Sequence, residues 1–441
     1  MPVTGVGTGR RIALLKPDFG VSGGFESVVD RVEARLRGDG HEVNRITRHL
    51  PSLPRRPYGI DVPDEIWAAA PEYFRYLASV EAFDAISTRR FDAVISTQPP
   101  SFTHRHPRHL SLFFHHHRVY YDLEDVWIAA GMAADPDLHR EAGARIRALD
   151  APRLEAVRWF AAGSETVRRR LARFNGIDRT SLFHAGIGLG MGPVATPGPE
   201  PDRPARNGPV LCVGRLELPK RPELFVAGLR RLPHVRATVV GSGGRAAWVR
   251  AVDHRLAQTG VDLDAVDETA LWCSRGDVEA PAPASWTSNV ELAGRVDDDA
   301  LVRLFATTPC VVAPALDEDY GLTAIEAMAH GAPVVVCRDG GGLADLVTHE
   351  VDGLVVEPTG AAIAAAVERI LTDPDLAATL AAGGRARAAE TAWDRADDEI
   401  RLALAITLDE AEPEAEPEPP SEAHAAHERR RTGAADRVAT S

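Results

Sequence analysis

The chain has 441 residues, of which 44% are hydrophobic and 26% charged, with a net charge of −14 and four cysteines. That length is too great for one hydrophobic core and implies two or three domains, with two the natural count. The composition excludes disorder throughout, and the dispersed Cys212, Cys273, Cys310 and Cys337 offer neither a zinc site nor a disulfide framework.

The first residues, MPVTGVGTGRRIALLKP, contain too short an apolar run for a signal peptide, and no stretch approaches the ~18 apolar residues of a spanning helix. The expected location is the cytoplasm, with the inner face of a membrane as a possible station. Charge is uneven: residues 1–195 carry 26 Lys and Arg against 23 Asp and Glu, a surplus of three that leaves −17 for the remainder. Such a half could approach an anionic acceptor or membrane surface. The preferred reading is that the difference reflects the acidic end of the chain and nothing else, although residues 409–441 supply only −5 of it.

Apolar runs recur with helical segments between them, the pattern of parallel strands covered on both faces. In the first half RIALLKP (11–17), HEVNRIT (41–47), FDAVIST (91–97), LSLFFHH (110–116), VRWFAAG (157–163) and TSLFHAG (180–186) read as strands. SETVRRRLARF between the last two is a helix capped near Ser164 or Glu165, with Val167, Leu171 and Phe174 on one face. The Gly- and Pro-rich stretch 188–208 reads as a linker. A second series follows, with PVLCVGR (209–215), RATVVGSG (236–243), NVELAGR (289–295), PCVVAPA (309–315), PVVVCRD (333–339) and GLVVEP (353–358) as its strands.

The expected organisation is α/β: two Rossmann-like domains at 1–190 and 209–392, facing each other across a cleft, with a linker at 191–208 between them. A helix at 393–408 follows, and then an acidic, disordered tail at 409–441. The connection 244–289, with Trp248, Trp272 and Trp286, gives no functional signal.

Residues 317–342, DEDYGLTAIEAMAHGAPVVVCRDGGG, carry the most chemistry. If Gly321 and Leu322 open a helix, Glu318 lies in the loop before it and Glu326 one turn inside, so both carboxylates face one cleft. The helix N-terminus between them is a ready anion site. Two hydroxyl-accepting carboxylates beside a phosphate site suit a nucleotide sugar.

The turn KPDFGVSGGFESVV offers backbone N–H groups at Gly20, Gly23 and Gly24. VGRLELPKRPE places Arg215, Lys220 and Arg221 at the carboxyl end of a strand, where cations can neutralise a departing diphosphate. His115, His116 and His117 cannot all bind one ion, because adjacent side chains on an extended segment point alternately.

The ordered series of loop Glu, aromatic-Gly-Leu, Glu-Ala-Met-Ala, His-Gly-Ala-Pro-Val-Val-Val and a Gly-Gly turn resembles the donor-site signature of retaining glycosyltransferase family 4, the glycosyl transferases group 1, which have the GT-B fold. The resemblance covers most of residues 10–406 and is strongest from 209 to 358. It implies transfer of a sugar, with retained configuration, from a UDP- or GDP-linked donor to an acceptor hydroxyl, without metal or cofactor.

The resemblance also implies residue roles. Arg215 and Lys220 meet the diphosphate, Gly23 and Gly24 face the donor phosphates, and backbone groups at Gly294 and Arg295 hold the base. Glu326 accepts the ribose hydroxyls and Glu318 those of the sugar. Tyr320, Gly321 and Leu322 complete the donor site, and the turn Gly340–Gly342 brings N–H groups to the diphosphate. A histidine at the end of the fourth strand, chosen as His116, reaches the sugar or its phosphate. Asp345 departs from the glutamate that many members have there.

The acceptor is expected to be a glycan, a lipid-linked molecule or a small molecule, and not nucleic acid. Arg89, Arg90, Arg105, Arg108 and Arg118 are candidates for peripheral contact with an anionic membrane surface. The competing readings are a GT-B epimerase or phosphorylase, or a sugar-nucleotide binding protein without turnover.

Overall fold

A computed structural model describes residues 9–20, 24–185, 206–258, 260–277, 287–391 and 393–410. Gly23, Trp286, most of the expected linker and the tail from 411 lie outside the described residues. Each predicted apolar run holds a strand. The first six are β1 (Arg11–Asp18), β2 (Glu42–His49), β3 (Ala93–Ser96), β4 (His109–Phe113), β5 (Trp159–Ala162) and β6 (Thr180–Leu182). The second series is β7 (Val210–Val213), β8 (Ala237–Val240), β9 (Val290–Gly294), β10 (Val311–Ala313), β11 (Val334–Cys337) and β12 (Leu354–Val356).

The strands form two six-stranded sheets, ordered β2-β1-β3-β4-β5-β6 and β12-β11-β10-β7-β8-β9. Every pairing is parallel. Parallel neighbours need long crossovers, which the intervening helices supply, and helices on both faces leave no room for polar alternation. Hence Ile12, Ala13, Leu14 and Leu15 of β1, and Val334, Val335 and Val336 of β11, are all fully buried.

Strand order reverses between β1 and β3 in the first sheet and between β7 and β10 in the second. A ligand crevice opens beyond the carboxyl ends of the strands at such a reversal. The second reversal brings together the turn after β7 and the loop after β10.

The helix Trp393–Thr407 does not stay with the second domain. Its Ile400, Ala403 and Leu404 join the cluster formed by Leu110, Leu112 and Ala161 of the first sheet. Arg401 donates to both oxygens of Asp39 at 3.0 Å. That cluster continues into the second domain through Tyr320, Ala324 and Leu343, so the domain junction is packed.

Arg245 is buried in the connection after β8, donating to Glu223 at 2.7 Å and to the carbonyls of Leu271 and Trp272. The short helix Glu268–Trp272 is thereby fixed against the helix Pro222–Arg230.

Candidate functional site

The turn after β7 sets two cations at the second reversal. Arg215 is exposed, and no hydrogen bond or ion pair reaches its guanidinium among the described residues. Lys220 ends the one-turn segment Leu218–Lys220, and its ammonium pairs with Glu318. Arg221 is a strut rather than a ligand group. It is 1% exposed, donates to Pro314 O at 2.6 Å and to Asp339 at 2.6 and 2.8 Å, and lies 5.1 Å from the Trp272 ring.

Burial pushes the Glu318 carboxyl upward, but the Lys220 ammonium outweighs it, helped by Arg118, and holds it below the ordinary glutamate value. Glu318 is therefore ionised at neutral pH and neutralises the cation beside it.

The glycine turn was expected to present N–H groups to a diphosphate, and the structure corrects this at Gly340 and Gly342. Gly342 N donates to Glu318 O at 2.7 Å, Gly340 N to Cys337 O at 2.9 Å, and Glu318 N to Gly340 O at 2.9 Å. A Cβ on Gly341 would come within 2.8 Å of the Asp317 carbonyl carbon, and one on Gly342 within 2.6 Å of Asp319 O. Gly341 and Gly342 lie flat against the Glu318 loop.

The helix Leu322–Ala329 starts where it was expected to, after Gly321 at φ +107°. No side chain caps it, and its first N–H groups, on Leu322 and Thr323, have no backbone acceptor outside the helix. A Cβ on Gly321 would meet Leu343 Cδ2 at 2.5 Å, so only glycine fits there.

One turn in, Glu326 is 8% exposed, and no hydrogen bond or ion pair reaches its carboxylate among the described residues. Burial, with Asp298 adding repulsion, pushes that carboxyl up to about 8. Tyr320, assigned to the donor, instead donates its hydroxyl to Ala185 O at 3.0 Å and serves the domain junction. Gly294 has φ +69° and accepts from Gly241 N at 2.7 Å, with Arg295 exposed after it.

Across the crevice, Gly24 opens the helix Gly24–Gly38, and a Cβ there would lie 3.2 Å from Leu322 Cδ1. The three histidines point apart. His116 is fully buried, bonded to Asn175 Oδ1 at 2.7 Å and stacked 4.1 Å from Tyr121, and burial drives its pKa down to about 3. His117 is partly buried and stacks on Tyr76, with ring centroids 4.9 Å apart. Such enclosure leaves His116 no face for a ligand, which corrects its selection. His115 is half-buried and close enough to Asp319 to help hold that carboxyl low. No group of three His, Cys, Asp or Glu side chains is placed to hold a metal ion among the described residues.

Sequence reasoning missed the ionic cluster at the junction. Arg118 and Arg170 of the first domain, with Asp122 between them, reach Asp317 and Asp319 on either side of Glu318. Asp317, in a left-handed bend at φ +47°, and Asp319 flank Glu318 in sequence, but nothing local names their arginine partners. Asp345 belongs to the same junction, accepting from Thr166 Oγ1 at 2.7 Å and Arg169 at 2.6 Å, so its short side chain faces the other domain. A cavity of about 350 Å³ beside the cluster is lined by Arg170, Arg173, Asp317 and Asp345, but not by Glu318, Lys220 or Glu326.

The remaining arginines proposed for a membrane surface do not serve the crevice. Arg89 and Arg90 precede β3, and Arg105 and Arg108 precede β4, at the ends of the strands opposite it. No helix among the described residues is long and apolar enough to cross a membrane.

Residues 285–387 match the family described as Glycosyl transferases group 1. The D-inositol 3-phosphate glycosyltransferase of Salinispora arenicola is 33% identical over 199 residues, 44% of this chain and 40% of that protein. The glycogen synthase of Mycobacterium tuberculosis is 29% identical over 223 residues, 48% of this chain and 44% of that protein. The matching stretch thus spans less than half of either relative.

Among solved structures, the sucrose-phosphate synthase of Thermosynechococcus elongatus superposes with a TM-score of 0.62 at 21% identity, covering 89% of this chain and 97% of that one. Anabaena Alr3699/HepE, in complex with UDP and glucose, gives 0.56 at 17% identity, covering 90% and 99%. The two doubly wound domains have the GT-B fold.

Proposed function

We propose that this chain, whose C-terminal domain belongs with the glycosyl transferases group 1 over residues 285–387, moves a sugar from a nucleoside diphosphate donor to an acceptor hydroxyl with retained configuration. Glu326 carries the reading. A carboxyl group this buried, with no partner among the described residues, leaves its hydrogen-bonding capacity unused, and a pair of ribose hydroxyls supplies donors to its ionised form.

The other groups fit around it. Arg215, Lys220 and the open N-terminus of the helix Leu322–Ala329 balance the charge of the departing diphosphate, so the reaction needs no metal. Glu318, released from Lys220 when the diphosphate arrives, accepts hydroxyls of the sugar. The bond from the anomeric carbon to the phosphate oxygen breaks as the acceptor oxygen attacks the same face, and the acceptor proton passes to the leaving phosphate. The acceptor is a glycan, a lipid-linked molecule or a small molecule. The Anabaena protein's complex with UDP and glucose supports the donor class.

Calorimetry with UDP, GDP and ADP in metal-free buffer tests the reading. One of the three is expected to bind the wild type and to lose most of its affinity for Glu326→Ala. Failure of all three to bind overturns the proposal.

The histidines give a second check. His115→Ala is expected to lower transfer with little change in thermal midpoint. His116→Ala should lower the midpoint by about 5 °C through lost packing and the lost bond to Asn175. The reverse pattern would restore His116 to the crevice.

A further inference from the structure

Glu318 is the middle of three acidic residues, and both neighbours are gripped from the other domain. Asp317 has φ +47°, a left-handed conformation that a residue with a Cβ adopts only where its surroundings enforce it. Its carbonyl accepts from Arg118 Nη2 at 2.6 Å and from Arg170 Nη2 at 2.5 Å. Arg170 also reaches Asp317 Oδ1 at 2.9 Å and pairs its Nη1 with Asp319.

Arg118 approaches Asp319 at 3.4 Å, and the Ser164 hydroxyl donates to Asp319 O. Behind them, Asp122 lies 2.6 Å from Arg118 and 3.4 Å from Arg170 and sets both guanidiniums. With 317 and 319 drawn toward the first domain, Glu318 between them points the other way, onto Lys220.

We propose that Arg118 and Arg170 are positioning residues for Glu318. They hold Asp317 in its left-handed conformation from across the junction, so the sugar-binding carboxylate is in place only while the domains are together. The proposal deepens the function above and rests on it for the role of Glu318. The grip on the loop stands without it.

Hydrogen exchange at the Glu318 and Gly342 amides, which bond Gly340 O and Glu318 O, reads the loop directly. In the full chain, Arg170→Ala is expected to speed exchange at both by about tenfold or more. Arg170→Lys should do much the same, since an ammonium cannot span one carbonyl and two carboxylates. Adding Asp317→Gly to Arg170→Ala should restore protection, because glycine holds a positive φ unaided. Asp317→Val should lose it with both arginines intact.

The kinetic companion is turnover of the sugar esters of whichever diphosphate binds. Arg170→Ala and Asp317→Val are expected to lose about 10²-fold in kcat while affinity for the free diphosphate stays within about twofold. Unchanged exchange in Arg170→Ala, or Asp317→Val matching Asp317→Gly, overturns the proposal, as does a loss of diphosphate affinity as large as the loss in kcat. If Arg170→Ala does not fold, the pair at Asp317, which is partly exposed, decides the matter. A wild type that binds no nucleotide refutes the proposed function, while the exchange result still decides the grip on the loop.

Discussion

Lys220→Ala is expected to weaken binding of the nucleoside diphosphate by about 10²-fold and to lower sugar transfer by about 10³-fold. The ammonium lies at the strand-order reversal where the diphosphate is expected, and it is partly buried, so its charge is screened less than that of a surface lysine. Lys220→Arg should recover little, because the planar guanidinium cannot replace a point charge held on a one-turn segment.

Glu318→Gln separates the two halves of the pair. In the ligand-free protein Glu318 neutralises Lys220, so the diphosphate must displace a carboxylate before it can use the cation. Removing that charge should leave diphosphate affinity equal to wild type or several-fold tighter, while transfer falls by about 10²-fold through the lost sugar contact. Calorimetry on both variants, with a transfer assay beside it, is the check. If Glu318→Gln and Lys220→Ala weaken the diphosphate alike, the pair does not compete with the ligand in this way.

All twelve strands among the described residues were legible because buried parallel strands are written as short apolar runs between turn signals, as RIALLKP and PVVVCRD show. The helix at Leu322 was legible from Gly321 and the helix-forming run behind it. The side-chain partners were not. Nothing in HHHR says that the middle ring turns inward against Tyr121, since register depends on where β4 stops, and it stops at Phe113.

The glycine run at 340–342 was read for its N–H groups because glycine permits close approach of any kind. At Gly341 and Gly342 the approaching group is the loop of residues 317–319. Arg118 and Arg170 are separated from Asp317 by 199 and 147 positions, so no local pattern could pair them. Arg118 was placed on a membrane surface for its charge alone, whereas its side chain is 13% exposed at the domain junction.

Glu326 should make nucleotide binding release a proton. Its carboxyl is pushed up to about 8 in the free protein, so it is largely protonated at pH 7. Ribose hydroxyls that donate to the carboxylate favour the ionised form and lower its pKa in the complex. Between the bound and free values each unit of pH then costs binding one proton's work. Affinity is expected to rise by up to tenfold per pH unit between the bound value and about pH 7, with the slope falling off through pH 8 and flat above it. The probe should be the nucleotide sugar, because a diphosphate diester has no ionisation of its own in that range.

Titration calorimetry in buffers of different ionisation enthalpy at pH 7 counts the proton, and Glu326→Gln should abolish both the release and the slope. Stability gives the opposite sign. A carboxyl whose folded pKa exceeds its unfolded value adds stability that is full below about 4.5 and is lost as pH rises through about 8. Glu326→Gln should therefore stabilise the free protein relative to wild type at pH 9, on the order of 5 kcal/mol, and much less at pH 5. Nucleotide sugar that binds with no proton release, to a wild type whose stability does not fall between pH 5 and 9 relative to Glu326→Gln, would place an unseen partner on this carboxylate and remove the basis for the ribose assignment.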